Sequence, residues 1–261
     1  ISAFAEESIS GQSHKRDELQ QSLHCQHVQL CRLHHGSLPV EPGLSRQMEQ
    51  LDLHSVLVTG SNRGLGLELV KQLAGKSNPP KWIFAICQVP AGSGAQMRPE
   101  DLKNLAAEHP QIVIIALDTN DPRSVKAAAA KVTELLKGAG LNLLVNNAGI
   151  LKLSTVETET PENMSEVYKT NVIGPMIVSQ AFLPLLRKAS QKSPQKGMSC
   201  SKAAILNITS ECGSMTNLFA WHMNELISYR CSKIKKCVKM ADPSGEISYR
   251  YAAYDFKKYL I

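Results

Sequence analysis

A chain of 261 residues with 43% hydrophobic and 20% charged residues can bury one sizeable core, and a single α/β domain is the expectation for that length. The formal net charge of +6 is concentrated toward the C-terminal end: residues 1 to 47 carry −1 (4 basic, 5 acidic), 48 to 232 carry +3 (18 and 15) and 233 to 261 carry +4 (7 and 3). That distribution argues against a nucleic-acid partner, and no apolar run reaches the length of a membrane span.

The first 47 residues are rich in Gln, Ser and His, lack a sustained apolar period and end in SLPVEPGLSRQ, which reads as a poorly ordered extension. Glu6 and Glu7 stand where a signal peptide would carry basic residues. Met48 lies six residues before the first strand signal and reads as a natural start, which an N-terminal peptide of the native protein beginning well upstream would overturn. Within HCQHVQLCRLHH, Cys25, His27, Cys31 and His34 stand at spacings that could ligate zinc, but no CxxC or HxxxH knuckle is present, so a solvated His-rich stretch without metal is expected. The seven cysteines (Cys25, Cys31, Cys87, Cys200, Cys212, Cys231, Cys237) are odd in number and scattered, which fits a reducing compartment and a cytoplasmic protein.

From His54 onward the pattern changes. HSVLVTG, WIFAIC, QIVIIALD, LNLLVNNAG and AAILNITS are five runs of strand length bounded by turn or cap residues. Between them, Leu65, Leu69, Val70 and Leu73 recur at helical spacing, as do Val125, Ala129, Val132 and Leu136 after Asp121 and Pro122 and before Gly138. A third helix follows Thr160 and Pro161. Doubly buried strands alternating with amphipathic helices predict a Rossmann-like, doubly wound parallel sheet with helices on both faces.

TGSNRGLG joins the first strand to the first helix. Glycines at 60, 64 and 66 permit a tight turn and the approach of a pyrophosphate to the helix N-terminus, where unpaired N–H groups and the dipole favour anions; a plain strand-to-helix turn satisfies the same spacing. Near the chain's end, Tyr229 and Lys233 are four apart and project from one helix face. A cation beside a phenol favours the phenolate and lowers a pKa that is otherwise ~10. A half-exposed helix pair meets that spacing equally well.

In order, TGSNRGLG, LDTND, NNAG, YKTNVIGP, ILNITSECG and YRCSK resemble the short-chain dehydrogenase/reductase family over residues 53 to 233, and within it the small carbonyl-reductase branch that includes sniffer and the C-factor-like proteins. The resemblance implies reversible hydride transfer between a nicotinamide and a small carbonyl or alcohol, without metal. It implies catalytic roles for Tyr229 as proton donor and acceptor, Lys233 beside it, Ser210 on the substrate oxygen and Asn171 in a water-mediated relay. It places Gly60, Ser61, Asn62, Arg63, Gly64, Leu65, Gly66, Asp118, Asn147, Ala148 and Gly149 on the cofactor together with Tyr229 and Lys233, with Asp118 at the adenine edge. Asn146 and Asn147 could equally tie neighbouring strands. The end of the second strand reads ICQVPAG, with Gln88 and no carboxylate for the ribose, while Arg63 stands where a basic residue would meet a 2′-phosphate, so NADP(H) is expected over NAD(H). Family members commonly self-associate, so a homo-oligomer is compatible with this reading.

Two departures stand out. Tyr229 stands 19 positions after Ser210, with Met215 to Leu226 filling the gap. Beyond Lys233 only 28 residues remain, whereas each strand-and-helix addition takes ~30. The boundaries expected are a 1–47 extension, a 48–233 dinucleotide-binding reductase domain and an atypical 234–261 tail, with the last strand-helix units missing, a bare edge beside the fifth strand and impaired turnover. A non-catalytic nucleotide-binding or interaction protein derived from such a reductase is the alternative.

Overall fold

Short β-branched and aliphatic runs form strands here because both faces of each are covered, which favours the residues that pack best on a pleated surface. The computed structural model describes residues 52–88, 99–194, 201–213, 226–236 and 248–254. The 1–47 extension with Cys25, His27, Cys31 and His34, most of the stretch from Met215 to Leu226, and residues 237–247 and 255–261 of the tail lie outside the described residues.

Strands β1 (Ser55–Thr59), β2 (Trp82–Cys87), β3 (Ile112–Ala116), β4 (Leu143–Asn146), β5 (Ala204–Ser210) and β6 (Ser248–Tyr254) form one sheet in the order β3-β2-β1-β4-β5-β6. Every pairing is parallel. The helices are α1 (Gly64–Ala74), α2 (Pro99–Glu108), α3 (Pro122–Leu136), α4 (Pro161–Tyr168), α5 (Gly174–Lys192) and α6 (Ile227–Lys236), with a π turn over Lys169–Ile173 between α4 and α5. The start signals act as their chemistry requires. The Asp121 carboxylate accepts from the Arg123 amide, the Thr160 hydroxyl accepts from the Asn163 amide, and a proline follows each cap.

Alternation along the strands sorts the core into two layers. Leu57, Phe84, Ile115, Leu144 and Ile205 pack against Val125, Val132 and Leu136 of α3 and Val178, Phe182 and Leu186 of α5. Val56, Val58, Ile83, Ile112, Val145 and Ala204 pack on the opposite face against Val70 and Ala74 of α1 and Leu102 of α2. The doubly wound expectation is met. Each fully buried aliphatic or aromatic side chain contributes about 1.5–3 kcal/mol relative to exposure. Among the described residues no helix is long and apolar enough to cross a membrane.

The sheet edge differs from expectation. Residues 248–254, inside the tail, pair with the whole length of β5, from Ala204 opposite Ser248 to Ser210 opposite Tyr254, so β5 is an interior strand. SYRYAAY escapes pattern reading because it holds no Val, Ile or Leu run. Its tyrosines are nonetheless good strand formers, and parallel pairing satisfies the backbone groups that a bare β5 would leave open. Helix α2 also went unread: PEDLKNLAAE starts with Pro99 and carries Glu100 and Asp101 in its first turn, where acidic groups favour the helix dipole.

Candidate active site

The glycine loop is held in shape by its neighbours. The Thr59 hydroxyl at the end of β1 accepts from the amides of Asn147 and Ala148 at 3.0 Å each, and the Asn147 side-chain amide donates to the carbonyls of Thr59 and Gly60 at 2.9 and 3.1 Å. Ser61 donates its hydroxyl to the Val58 carbonyl at 2.6 Å and its amide to the Ile86 carbonyl at 2.9 Å. Gly60 has φ +67°, and a Cβ on Gly66 would lie 2.1 Å from the Gly60 carbonyl oxygen, so α1 starts in direct contact with the loop.

Arg63 caps α1 in an extended conformation with no side-chain hydrogen bond to the first turn, and its own side chain is exposed. First-turn amides without a side-chain cap form an anion-binding end. A Cβ on Gly64 would meet nothing within 4 Å, so there is open space over the loop. Together these features fit a dinucleotide pyrophosphate. Asp118, at the end of β3, accepts from the Asn120 amide at 2.8 Å, and its own amide donates to the Ser124 hydroxyl. Gln88 is exposed after β2, and burial pushes the neighbouring Cys87 thiol up, which keeps it protonated.

Across the sheet, α6 brings Tyr229 and Lys233 together as the spacing predicts. The Lys233 ammonium is 5.1 Å from the Tyr229 ring centroid and donates to the Ile208 carbonyl at 3.3 Å. Lys233 is only 4% exposed, so its charge acts on Tyr229 with little screening by water. Ser210 closes β5, buried, and its hydroxyl accepts from the Cys212 amide at 3.2 Å. Thr209 beside it reaches the Lys233 carbonyl with its hydroxyl at 3.4 Å.

Asn171 sits in the π turn, a widened helical turn of the kind that recurs at functional sites. It is fully buried and engaged at both ends of its amide. Its oxygen accepts from the Ile150 amide at 2.8 Å, and its nitrogen donates to the Ile150 carbonyl at 2.9 Å and to the Ser232 hydroxyl at 3.0 Å. Ser232 in turn donates to the Tyr229 carbonyl at 2.7 Å. One side chain thus joins the segment after β4, the π turn and α6. Asn146 and Asn147 do tie strands: the Asn146 amide donates to Asn207 of β5 and Ser179 of α5. Next to Asn171, the Thr170 hydroxyl accepts from Asn120, linking the Asp118 loop to the π turn.

Sequence reasoning missed Thr59, Ser232 and Glu159. Glu159 precedes the Thr160 cap, and its local sequence gives no sign of its partner, because the Ser228 amide to which it bonds is 69 residues away. Burial pushes the Glu159 carboxyl up, but the hydrogen bonds donated by Ser154, Ser228 and the Thr160 amide outweigh it and hold the group down at about 2. A carboxyl whose folded value is depressed contributes stability above its free value of 4.5 and loses it as pH falls toward 2. The Tm deficit of Glu159→Gln relative to the parent should therefore shrink to about half or less between pH 6 and pH 3. A deficit of constant size across that range would contradict the assignment.

The short chain dehydrogenase family model matches residues 54–234. Among solved structures, the NADPH-bound carbonyl reductase from chicken fatty liver is 53% identical, with a TM-score of 0.68, over 73% of this chain and 69% of that one. The carbonyl reductase Sniffer of D. melanogaster is 32% identical, with a TM-score of 0.64, over 70% of this chain and 71% of that one. Among curated proteins, the short-chain dehydrogenase anuI of Penicillium roqueforti is 33% identical over 68% of this chain and 66% of its own length, and tazN of Aspergillus terreus is 34% identical over 77% of this chain and 39% of its own. The chain spans less than two thirds of the length of these curated relatives. The family match, the sheet order and the Tyr229–Lys233 helix agree: the chain is an oxidoreductase-family protein and belongs to the short-chain dehydrogenase/reductases.

Proposed function

We propose that the chain is an NADP(H)-dependent oxidoreductase that transfers a hydride to or from the carbon of a small carbonyl or alcohol, with residues 48–233 as its dinucleotide-binding reductase domain. The observation that carries the reading is the buried Lys233 ammonium beside the Tyr229 ring on a helix joined to β5 and to the π turn. When bound, the nicotinamide supplies the carbon that gives or takes the hydride. Tyr229 gives the oxygen its proton in reduction and recovers it in oxidation, a step worth roughly 10²–10⁴ in rate. The Lys233 charge makes that phenol acidic enough to exchange a proton near neutrality. Ser210 donates its hydroxyl hydrogen to the same oxygen, and Asn171 supports the relay to Lys233.

The preference for NADP(H) rests on Arg63, exposed at the cap of α1, on the absence of a carboxylate at Gln88, and on the NADPH bound in the chicken carbonyl reductase. The scattered thiols, of which Cys87, Cys212 and Cys231 are free, support a cytoplasmic setting. NADPH consumption with a panel of quinones and aldehydes tests the activity, and a rate equal to the enzyme-free blank across the panel would favour a non-catalytic nucleotide-binding protein. Arg63→Ala should weaken NADPH binding by roughly 10-fold, the size expected for one charge-assisted contact, and leave NADH within about two-fold. Equal losses for the two cofactors in a fluorescence titration would remove Arg63 from the 2′-phosphate.

A further inference from the structure

The segment between β4 and α4 grips α6 at two points. At one end, Asn171 holds both backbone groups of Ile150 and donates to Ser232 of α6. At the other, the Glu159 carboxylate accepts from the Ser228 amide at 2.9 Å and the Ser154 hydroxyl at 2.6 Å with one oxygen, and from the Thr160 amide at 3.0 Å with the other. Ser228 and Ser232 are four apart, so they lie on one face of α6, about one turn of ~5.4 Å from each other. Each immediately precedes one of the two reactive side chains, Tyr229 and Lys233. Both serines are buried, at 2% and 0% exposure, so water does not compete for these bonds.

We propose that Glu159 is a positioning residue for the proton-transfer helix: bound across the start of α6, it fixes with Ser232 the rotation at which Tyr229 and Lys233 face the substrate oxygen. This rests on the proposed roles of those two residues. The bonds of Ser232 to Asn171 and of Lys233 to Thr209 and Ile208 hold the second turn of α6, and the Glu159 bond to Ser228 holds the first turn, which carries Tyr229, so the two turns are fixed in rotation about the helix axis. The charge also suits its place. Helix α6 has no acidic residue in its own first turn, and Glu159 brings a carboxylate to that positive dipole end from elsewhere in the chain. Misplacement of a reacting group by about 1 Å costs on the order of 10²-fold in rate, so a positioning bond reads out in turnover before it reads out in binding.

The test compares the parent chain with Glu159→Ala and Glu159→Gln by steady-state kinetics, NADPH fluorescence titration and amide hydrogen exchange over residues 227–233. Glu159→Ala is expected to lower kcat about 10-fold or more with the NADPH Kd within about two-fold, and to speed exchange at the Ser228 amide. Glu159→Gln, which retains an acceptor without the charge, is expected to fall between Ala and the parent. A kcat within two-fold of the parent, or parallel losses in kcat and NADPH binding, would overturn the proposal. If the parent itself turns over no carbonyl compound, the reductase reading fails, yet hydrogen exchange still decides the attachment: unchanged protection at Ser228 in Glu159→Ala would overturn it.

Discussion

Tyr229→Phe is expected to lower kcat/KM for carbonyl reduction by about 10³-fold, or roughly 4 kcal/mol of transition-state stabilisation, while NADPH binds within two-fold of the parent. The substitution removes one oxygen and keeps the ring that lies 5.1 Å from the Lys233 ammonium, so the ring's place on α6 is retained and the loss reports the hydroxyl. Lys233→Met is expected to act differently. It removes a buried cation together with its hydrogen bond to the Ile208 carbonyl, so the phenol returns toward its ordinary pKa of ~10 and the ascending limb of the oxidation rate, where the phenolate base forms, moves upward in pH. Phe should therefore reduce the rate at every pH, and Met should move the profile as well as lower it. A Tyr229→Phe protein retaining more than about a tenth of parental kcat/KM would assign the proton to another group. Identical pH profiles for parent and Lys233→Met would show that the ammonium does not tune the phenol.

The division between what could be read from the sequence and what could not follows the range of the interactions. The strands β1 to β5, the caps at Asp121 and Thr160 and the glycine loop were legible because each depends on neighbours within a few residues. The Tyr229–Lys233 pair was legible for the same reason, since a helix enforces i,i+4 proximity. The bonds that make these pieces a site join positions far apart in the chain. Asn147 reaches back 88 residues to Thr59, Asn171 forward 61 to Ser232, and Glu159 forward 69 to Ser228. Asn171 carried a family signature, so its position was anticipated, although the structure shows its amide fully engaged by protein. Glu159 and Ser232 carried none, because a glutamate beside a cap and a serine on a helix are ordinary in composition. Strand β6 was hidden for a different reason. Its tyrosines and arginine lack an apolar rhythm, and only the partner strand β5 reveals that they extend.

Gly66→Ala should be the most damaging single-carbon change among the three glycines of the loop. The added Cβ would lie 2.1 Å from the Gly60 oxygen, 2.5 Å from the Asn147 side-chain nitrogen and 2.8 Å from the Gly60 carbonyl carbon, and two of those three are backbone atoms that cannot rotate away. Either α1 withdraws from the loop or Asn147 swings out and gives up its bonds to Thr59 and Gly60. Overpacking of this kind costs about 1–3 kcal/mol, and each surrendered hydrogen bond adds about 0.5–1.5 kcal/mol. At ~2–4 °C per kcal/mol for a domain of this size, Tm should fall by roughly 5–15 °C. NADPH affinity should fall by at least about 10-fold, because withdrawal of α1 carries its first-turn amides away from the pyrophosphate. Gly64→Ala separates this effect from a general intolerance of side chains in the loop. A Cβ there meets no atom within 4 Å but sits at φ +55°, so its cost is backbone strain of about 1–2 kcal/mol without displacement of α1. The two variants should rank in that order both in thermal scans and in NADPH titration. A reversed order would mean that backbone strain, rather than close contact of α1 with the loop, controls the site.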